Sequence, residues 1–406
     1  MELRGKPTAA GRAKATRTTP PDPALERPSP PQPPKPPEPV QSAPLTHSAH
    51  SAHSAHSAQP GEPSALTPRV RILRRLSRTL LAALVTAAVV VPVSAAARPR
   101  IPAPAPAALA PPTTATLDKA YTANRANAAE ASRMAASHGD RTRAVADRTM
   151  AAPSRHFLTF DGRGQGLAVE VLGDLAHADR VAVLVPGSDT TLETYGRFRA
   201  GAAALQDRLN SLGHRHGTHG THGTHGTHGT TSRPHTAVIA WLGYETPGTV
   251  STTVLTTGRA EDAAPPLKRF IRELRGVVGE KAHVSLLCHS YGTVVCGRAA
   301  RGLDVDDIAL IGSPGTGADS VSALRTSARI WAARGAHDWI VNVPHVHADL
   351  FGTTVGFGAD PVSPAFGARV FAAGTGGHSD YFKPGSVSLD NLARIVLGDT
   401  PEVSRA

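Results

Sequence analysis

The chain has 406 residues, and its 43 lysines and arginines exceed its 32 aspartates and glutamates. Most of that excess lies in residues 1–115, with 14 basic and 5 acidic residues, whereas residues 116–406 carry 29 and 27. The nearly neutral part has no basic cluster interleaved with aromatic residues, so the sequence predicts no nucleic-acid partner. Its two cysteines are too few for a disulfide scaffold and have the wrong pattern for a zinc site.

Residues 1–69 are of low complexity. Eleven of the twenty residues from Pro20 to Pro39 are proline, and a fourfold His-Ser-Ala repeat runs from His47 to Ala58. Such a composition cannot bury enough apolar surface to offset the entropy of ordering the chain. We therefore predict a disordered extension over 1–69.

Residues 70–98 follow the pattern of an export signal. Five arginines between Arg69 and Arg78 precede nineteen uncharged residues, Thr79 to Ala97, which end in small side chains. A basic flank, an apolar core and a small-residue end are typical of a secretory signal. The stretch 79–97 is also just long enough for a membrane anchor, which Pro92 disfavours. The protein is expected outside the cytoplasmic membrane, either secreted or anchored there, and residues 99–116 are expected to form a stiff Pro/Ala linker.

Residues 117–406 suit one α/β domain. Apolar runs of strand length alternate with helical stretches, which predicts a mostly parallel sheet covered by helices on both faces. The predicted helices are residues 117–150, 191–212, 265–278, 292–302 and 387–397. The predicted strands are residues 156–160, 167–171, 181–185, 236–242, 284–287, 308–311, 329–333 and 369–372.

A His-Gly-Thr repeat interrupts this domain. Residues 214–231 hold six histidines, and glycine at every third position of the repeat predicts a flexible surface loop. The histidines could bind a metal ion of intermediate softness weakly. A low-complexity insertion that the fold tolerates is the alternative explanation for them. We predict no metal and no cofactor.

The most specific motif follows the strand predicted at 284–287. It places Ser290 at the centre of a strand-to-helix turn with the sequence Cys288-His289-Ser290-Tyr291-Gly292. In a nucleophile elbow such a turn lifts the serine hydroxyl to the carboxyl edge of the sheet. The positions two before and two after the serine are crowded; Gly292 fits this requirement, and Cys288 replaces the usual first glycine. Ser290 is the predicted nucleophile.

A serine hydroxyl needs an imidazole to take its proton and a carboxylate to orient that imidazole. In this type of fold the chain order is Ser, Asp or Glu, then His. Asp338 follows the strand at 329–333 and His378 follows the strand at 369–372, so these two are the predicted acid and base. Asp360 is a rival acid, although its Asp-Pro sequence is more typical of a turn. His345 and His347 lie in an insertion and need no catalytic role.

Acyl transfer also requires donors for the developing oxyanion. The backbone N–H of Tyr291 is one candidate, and Ser188, in the loop after the strand at 181–185, is the other. An ordinary strand-to-helix turn with a Thr or Asp cap would account for the same loop.

Cys288 and Cys296 could form a disulfide. Both are expected at similar depth below the turn, one on the strand and the other one helical turn beyond Gly292. The alternative is that two small apolar side chains fill a tight strand–helix contact.

Several segments together resemble a known family. They read VAVLVPGSDTTLETY, AWLGYETP, LLCHSYGTVVCG, LIGSPG and FGARVFAAGTGGHSDYF. In this order they are similar to an actinobacterial α/β-hydrolase family long catalogued as a domain of unknown function, over roughly residues 155–398. The resemblance implies the α/β-hydrolase fold and a triad of Ser290, Asp338 and His378.

Together these residues favour a serine hydrolase that cleaves an ester or other acyl bond of a small-molecule or lipid substrate through an acyl-Ser290 intermediate. A catalytically silent hydrolase fold that serves as a binding module at the cell surface is the alternative.

Overall fold

The computed structural model describes residues 101–218, 234–343, 345, 347–350 and 353–406. The predicted extension 1–69, the predicted signal or anchor 70–98 and residues 219–231 of the repeat lie outside these residues. Within the described ranges, no helix has both the length and the apolar character needed to cross a membrane.

One sheet of eight strands forms the centre of the domain, in the order β1-β2-β4-β3-β5-β6-β7-β10. β1 pairs antiparallel with β2 and β2 with β4, while the remaining neighbours are parallel. Two further strands, β8 and β9, form a separate antiparallel pair. The strands are β1 His156–Asp161, β2 Leu167–Gly173, β3 Arg180–Val185, β4 Thr236–Leu242, β5 His283–His289, β6 Asp307–Ile311, β7 Arg329–Ala333, β8 His347–Leu350, β9 Thr353–Gly356 and β10 Arg369–Val370.

Helices lie between these strands and before them. They are α1 Leu117–Ser137, α2 Arg141–Met150, α3 Tyr195–Thr218, α4 Gly258–Val278, α5 Gly292–Ala299, α6 Val321–Leu324 and α7 Val387–Leu397. Short 3₁₀ turns occupy Thr114–Thr116, Thr252–Leu255, Trp339–Asn342 and Thr400–Glu402. The predicted mostly parallel α/β architecture is confirmed.

Several boundaries differ from the prediction. The single helix expected over 117–150 is two helices, because Gly139 adopts a positive φ of 88° and Asp140 starts a new helix by accepting from the Arg143 N–H. α4 begins seven residues before Pro265, which was expected to open it, and contains that proline in its interior. α3 begins at Tyr195 instead of 191 and continues to Thr218, through the first residues of the predicted loop.

Two strand predictions also need correction. β10 has only two residues, and the next residue, Phe371, forms an isolated antiparallel bridge to Arg405. The pair β8 and β9 was not predicted at all.

The described part of the predicted linker, residues 101–116, lies against the domain. Asn127 of α1 donates a hydrogen bond to the Ala105 carbonyl at 2.8 Å, and Ala103 packs against the apolar core. At these two residues the segment contacts the domain; the linker role of residues 99–116 stays a prediction.

The core has two layers because side chains of each strand alternate between the faces of the sheet. In β3, Val181, Val183 and Val185 face one layer, whereas Ala182 and Leu184 face the other. α4 and α5 cover the first layer, and α3 and α7 cover the second. Cys288 of β5 belongs to the first layer, on the face that α5 covers.

Candidate active site

Ser290 lies in the sharp turn between β5 and α5. Its φ of 55° is in the left-handed region that L-residues with a side chain rarely adopt, and its N–H donates to the Ile311 carbonyl at 3.0 Å. A Cβ at Gly292 would lie 2.6 Å from the carbonyl oxygens of Val185 and Pro186, and one at Gly187 would lie 2.6 Å from Ser290 Cβ. Only glycine fits at these two positions, so the turn is a strained backbone held closely by the end of β3.

Two further side chains join Ser290 in a hydrogen-bonded chain. His378 Nε2 lies 2.8 Å from Ser290 Oγ, and His378 Nδ1 lies 2.8 Å from Asp338 Oδ1. Since a carboxylate accepts from Nδ1–H, the lone pair of Nε2 is left facing the serine hydroxyl. Asp338 follows β7 and His378 follows β10, so the structure brings all three predicted residues to the carboxyl edge of the sheet. We call this arrangement the Asp338–His378–Ser290 relay.

Asp338 is buried, and both of its carboxylate oxygens accept hydrogen bonds. Burial acts to raise its pKa, but hydrogen bonds from His378, from the Tyr381 hydroxyl at 2.6 Å and from the Ile340 N–H at 2.9 Å outweigh it. The pKa of Asp338 is therefore below its ordinary value. Burial and the neighbouring carboxylate raise the pKa of Tyr381, so this phenol remains a neutral donor. The Gly335 N–H in turn donates to the Tyr381 hydroxyl at 3.0 Å, which fixes the ring.

A second histidine supports the first. His289 Nε2 lies 2.7 Å from the backbone carbonyl of His378, and the two imidazole rings are 4.8 Å apart. A carbonyl only accepts, so Nε2 of His289 carries the proton. Burial, together with the neighbouring imidazole, lowers the pKa of His289 to about 4. His289 is thus a neutral donor at pH 7 that holds the backbone of His378.

We expect this partly buried histidine to make the fold sensitive to acid. In the unfolded chain His289 binds a proton below pH 6.5, whereas in the folded chain it does so only near pH 4. The free energy of unfolding is expected to fall by about 3 kcal/mol as the pH drops through that window. Urea denaturation of the wild type and of His289→Gln at pH 7 and pH 4 measures the effect. The variant retains an N–H donor but has no titratable ring, so an equally large fall in the variant would contradict the assignment.

A cavity of about 740 Å³ opens above the relay. Its walls are mainly apolar, and the indole of Trp339 lies 4.6 Å from the His378 ring at its mouth. Apolar lining residues include Phe198, Val254, Leu255, Ile340, Phe357 and Phe382. A concave, mostly apolar site with a few convergent polar groups is the usual form of a small-molecule site.

The predicted oxyanion donors face the same cavity. β3 and β5 are paired neighbours in which Val185 lies opposite Cys288, so the loops that carry Ser188 and Tyr291 leave the sheet side by side. Both residues line the cavity. Among the described residues, neither backbone N–H donates to an acceptor within the protein, which is the state required of amides that bind an oxyanion. The Tyr291 hydroxyl is engaged elsewhere, donating to the Thr256 carbonyl at 2.7 Å.

The rival acid does not reach this site. Asp360 pairs with Arg334 at 2.6 Å and accepts from the Val362 N–H at 3.1 Å, as a turn residue does. His345 faces the Pro314 carbonyl at 3.0 Å and has no contact with the relay. The side chain of His347 lies outside the described part of the structure.

Cys288 and Cys296 form a disulfide, with their Cα atoms 6.5 Å apart. Both side chains are completely buried. The bond joins the last part of β5 to α5 across the nucleophile turn, so it links the two elements that present Ser290. Cys288 therefore occupies the usual glycine position with its side chain directed away from the crowded turn, into the layer under α5.

Removal of this disulfide should destabilise the domain moderately. The bond closes a short loop, with a sequence separation of 8. Closing a loop of this length lowers the conformational entropy of the unfolded chain, which stabilises the folded state by about 2–3 kcal/mol. We expect Cys288→Ala/Cys296→Ala to lose that amount of unfolding free energy in urea denaturation. Wild type that is unfolded and refolded with reductant is the matched control, because it retains both sulfur atoms without the bond. Equal stability of all three forms would show that the bond contributes nothing.

Part of the chain, including the turn at Ser290, matches a known protein family. Residues 161–348 match the model of a family described as alpha/beta hydrolase. The fold is that of an α/β-hydrolase. The matched segment covers the nucleophile turn and Asp338, while His378 lies beyond it in sequence.

Relatives of this chain include two proteins of Mycobacterium tuberculosis, from strains H37Rv and CDC 1551, both described as uncharacterized. Each is 27% identical over 268 residues, which cover 58% of this chain and 37% of the relative. The chain thus spans little more than a third of the length of these curated relatives. Among solved structures, esterase PE8 is 16% identical with a TM-score of 0.37 and covers 57% of this chain and 98% of its own. An α/β serine hydrolase without lid from Xanthomonas campestris has the same identity and TM-score, covering 61% and 96%.

Sequence reasoning did not find two residues of the candidate site. Tyr381 donates to Asp338 and His289 holds the backbone of His378, but neither was assigned a role. Tyr381 lies in the segment FGARVFAAGTGGHSDYF and His289 directly precedes the nucleophile, so proximity to the motif residues was the available signal.

Proposed function

We propose that this protein is a serine hydrolase that cleaves carboxylic esters or related acyl bonds through an acyl-Ser290 intermediate. The Asp338–His378–Ser290 relay, with both of its contacts at 2.8 Å, is the observation that carries the proposal. The apolar cavity above it favours an ester with an apolar acyl or alcohol part.

In the first half-reaction, Ser290 Oγ attacks the carbonyl carbon of the ester while His378 Nε2 takes the hydroxyl proton. The carbonyl oxygen becomes an oxyanion, for which the amides of Tyr291 and Ser188 are the proposed donors. Asp338 stabilises the imidazolium and keeps Nδ1 protonated. Collapse of the intermediate breaks the bond to the alcohol, which takes the proton from His378 and leaves.

In the second half-reaction, water replaces the alcohol. His378 takes one proton from the water as its oxygen attacks the acyl carbon, and the same proton returns to Ser290 when the acid is released. The positive φ of Ser290 lifts its hydroxyl toward the cavity, and glycine at 187 leaves space next to it.

The proposed place of action is outside the cytoplasmic membrane. The basic and apolar pattern of residues 70–98 supports export, and the disulfide between Cys288 and Cys296 is of a kind that persists in oxidising compartments. Sequencing the amino terminus of protein recovered from culture medium tests this. A mature terminus near Ala96 to Arg98 would support secretion, whereas full-length protein found only in membranes would favour the anchor.

A fluorophosphonate probe tests the chemistry directly. The full chain should be labelled, and peptide mass spectrometry should locate the label on Ser290. Ser285→Ala is a matched control, since Ser285 is a buried serine of β5, the strand before Ser290, and its hydroxyl has no hydrogen-bond partner among the described residues; this variant should be labelled like the wild type. Absence of label, combined with no turnover of p-nitrophenyl esters of any chain length, would favour the silent binding module.

A further inference from the structure

Large apolar side chains are exposed mainly around the mouth of the cavity. Six are exposed in the described ranges, and four of these lie in two short segments at the carboxyl edge of the sheet. We call these four the apolar rim: Val250, Leu255, Trp339 and Val341. Leu255 and Trp339 line the cavity, and the other two follow cavity-lining residues directly in sequence. Scattered exposed apolar residues need no explanation, but a group around one opening does.

The two segments of the apolar rim flank the nucleophile. One follows β4 and the other follows β7, while β5, which carries Ser290, lies between these strands in the sheet. Both segments therefore stand at the same edge as the relay, on opposite sides of it. A surface that touches both segments would cover the cavity mouth.

Specific hydrogen bonds hold the first segment in place. The Asp189 carboxylate accepts from the Thr249 N–H at 3.1 Å and from its hydroxyl, next to Val250. The Tyr291 hydroxyl donates to the Thr256 carbonyl, next to Leu255. The apolar side chains of this segment are thus presented to solvent by a fixed backbone.

The second segment is held by the relay itself. Asp338 caps the 3₁₀ turn Trp339–Asn342 by accepting from the Ile340 N–H. The Trp339 ring lies against His378, yet 51% of the residue remains exposed. Tryptophan is enriched where one side of a residue is apolar and the other is wet, as at a membrane interface.

Two cations line the same cavity. Arg197 and Lys383 are exposed, and neither has an ion-pair partner among the described residues. A Cβ at Gly201, one helical turn after Arg197 on α3, would lie 3.1 Å from Phe382 Cβ, so α3 and the segment with Lys383 pack together and the two cations lie along one wall. Apolar side chains beside unpaired cations are complementary to the surface of an anionic lipid layer.

We propose that the apolar rim docks the enzyme on the surface of an anionic lipid aggregate, from which the cavity takes its ester. This inference rests on the proposed serine hydrolase function and specifies its substrate class as esters that reside in a lipid phase. Rim side chains enter the lipid, while Arg197 and Lys383 meet the anionic headgroups.

Tryptophan fluorescence of the full chain tests the docking. Of the three tryptophans, Trp241 and Trp331 are buried, so a shift in emission on lipid contact reports Trp339. The probe is vesicles of phosphatidylcholine with or without phosphatidylglycerol, added to Ser290→Ala so that no ester is consumed. We expect a blue shift that is stronger with phosphatidylglycerol. Attachment through residues 79–97 alone would leave the emission of Trp339 unchanged and would overturn the proposal.

Variants locate the docking surface. Leu255→Ser should weaken vesicle partitioning about tenfold, as expected for one buried apolar side chain. Arg197→Gln and Lys383→Gln should each weaken it roughly fivefold with phosphatidylglycerol. Val145→Ser is the matched control, because Val145 is 59% exposed on α2 and does not line the cavity; it should change nothing.

A different binding partner for the apolar rim would give different results. A blue shift that grows with protein concentration in the absence of lipid would indicate a second copy of the chain and overturn the proposal. The proposal is also overturned if Val145→Ser weakens vesicle binding as much as Leu255→Ser. Failure of docking in a protein that still hydrolyses soluble esters refutes the lipid inference alone. Loss of both labelling and ester turnover refutes the hydrolase function.

Discussion

Replacing Ser290 with alanine should lower the hydrolysis rate of p-nitrophenyl esters by about 10⁶-fold and abolish fluorophosphonate labelling. The expected size is that of removing a nucleophile whose partners act as a unit with it. Without Ser290 no acyl-serine can form, so the remaining rate reflects substrate binding, the proposed oxyanion donors and unassisted chemistry at His378. Steady-state kinetics of purified wild type and variant at equal concentration measure the difference.

The control for this loss is structural. Ser290→Ala retains a Cβ at the strained φ, so urea denaturation should give nearly the same unfolding free energy as for the wild type. Ser285→Ala should match the wild type in both rate and stability. Turnover by Ser290→Ala at the wild-type rate would refute the mechanism.

Replacing Asp338 with asparagine should lower kcat by about 10⁴-fold, the size known for the equivalent Asp-to-Asn change in a serine protease triad. Asparagine can donate to His378 Nδ1, which would place the proton on Nε2 and leave no lone pair for Ser290. It also removes the charge that stabilises the imidazolium. Kinetics with a soluble ester measure the effect.

Asp360→Asn is the matched comparison for the acid. Asp360 is paired with Arg334 and has no contact with His378, so this variant should keep kcat within a few-fold of the wild type. If Asp360→Asn were the inactive variant and Asp338→Asn the mild one, the carboxylate would have been assigned to the wrong loop.

The sequence predicted the parallel sheet and the positions of the relay residues because these depend on local patterns. Most strands of the central sheet are short apolar runs, and Ser290 and Asp338 each follow such a run, while His378 follows the short edge strand β10. Parallel strands bring their carboxyl ends to one edge, so strand order in the chain was enough to place the three residues together.

Other features depend on contacts that no local pattern contains. The β8–β9 pair has only four residues in each strand and lies outside the main sheet, so it has no periodic signal. The break at Gly139 lies within an alanine-rich stretch whose composition favours continuous helix. Tyr381 and His289 obtain their roles from single hydrogen bonds, to Asp338 and to the His378 carbonyl, which form only once the strands are assembled.

The burial of the disulfide determines when it can form. Cys288 and Cys296 are both wholly inaccessible in the folded domain, and thiol–disulfide exchange requires a thiolate that its partner can reach. Oxidation must therefore take place while β5 and α5 are still open, before the sheet and its covering helices close over them. A chain that folds first in a reducing cytoplasm would enclose two thiols that no later oxidant reaches. The oxidation state of a purified sample would then record the compartment in which that sample folded.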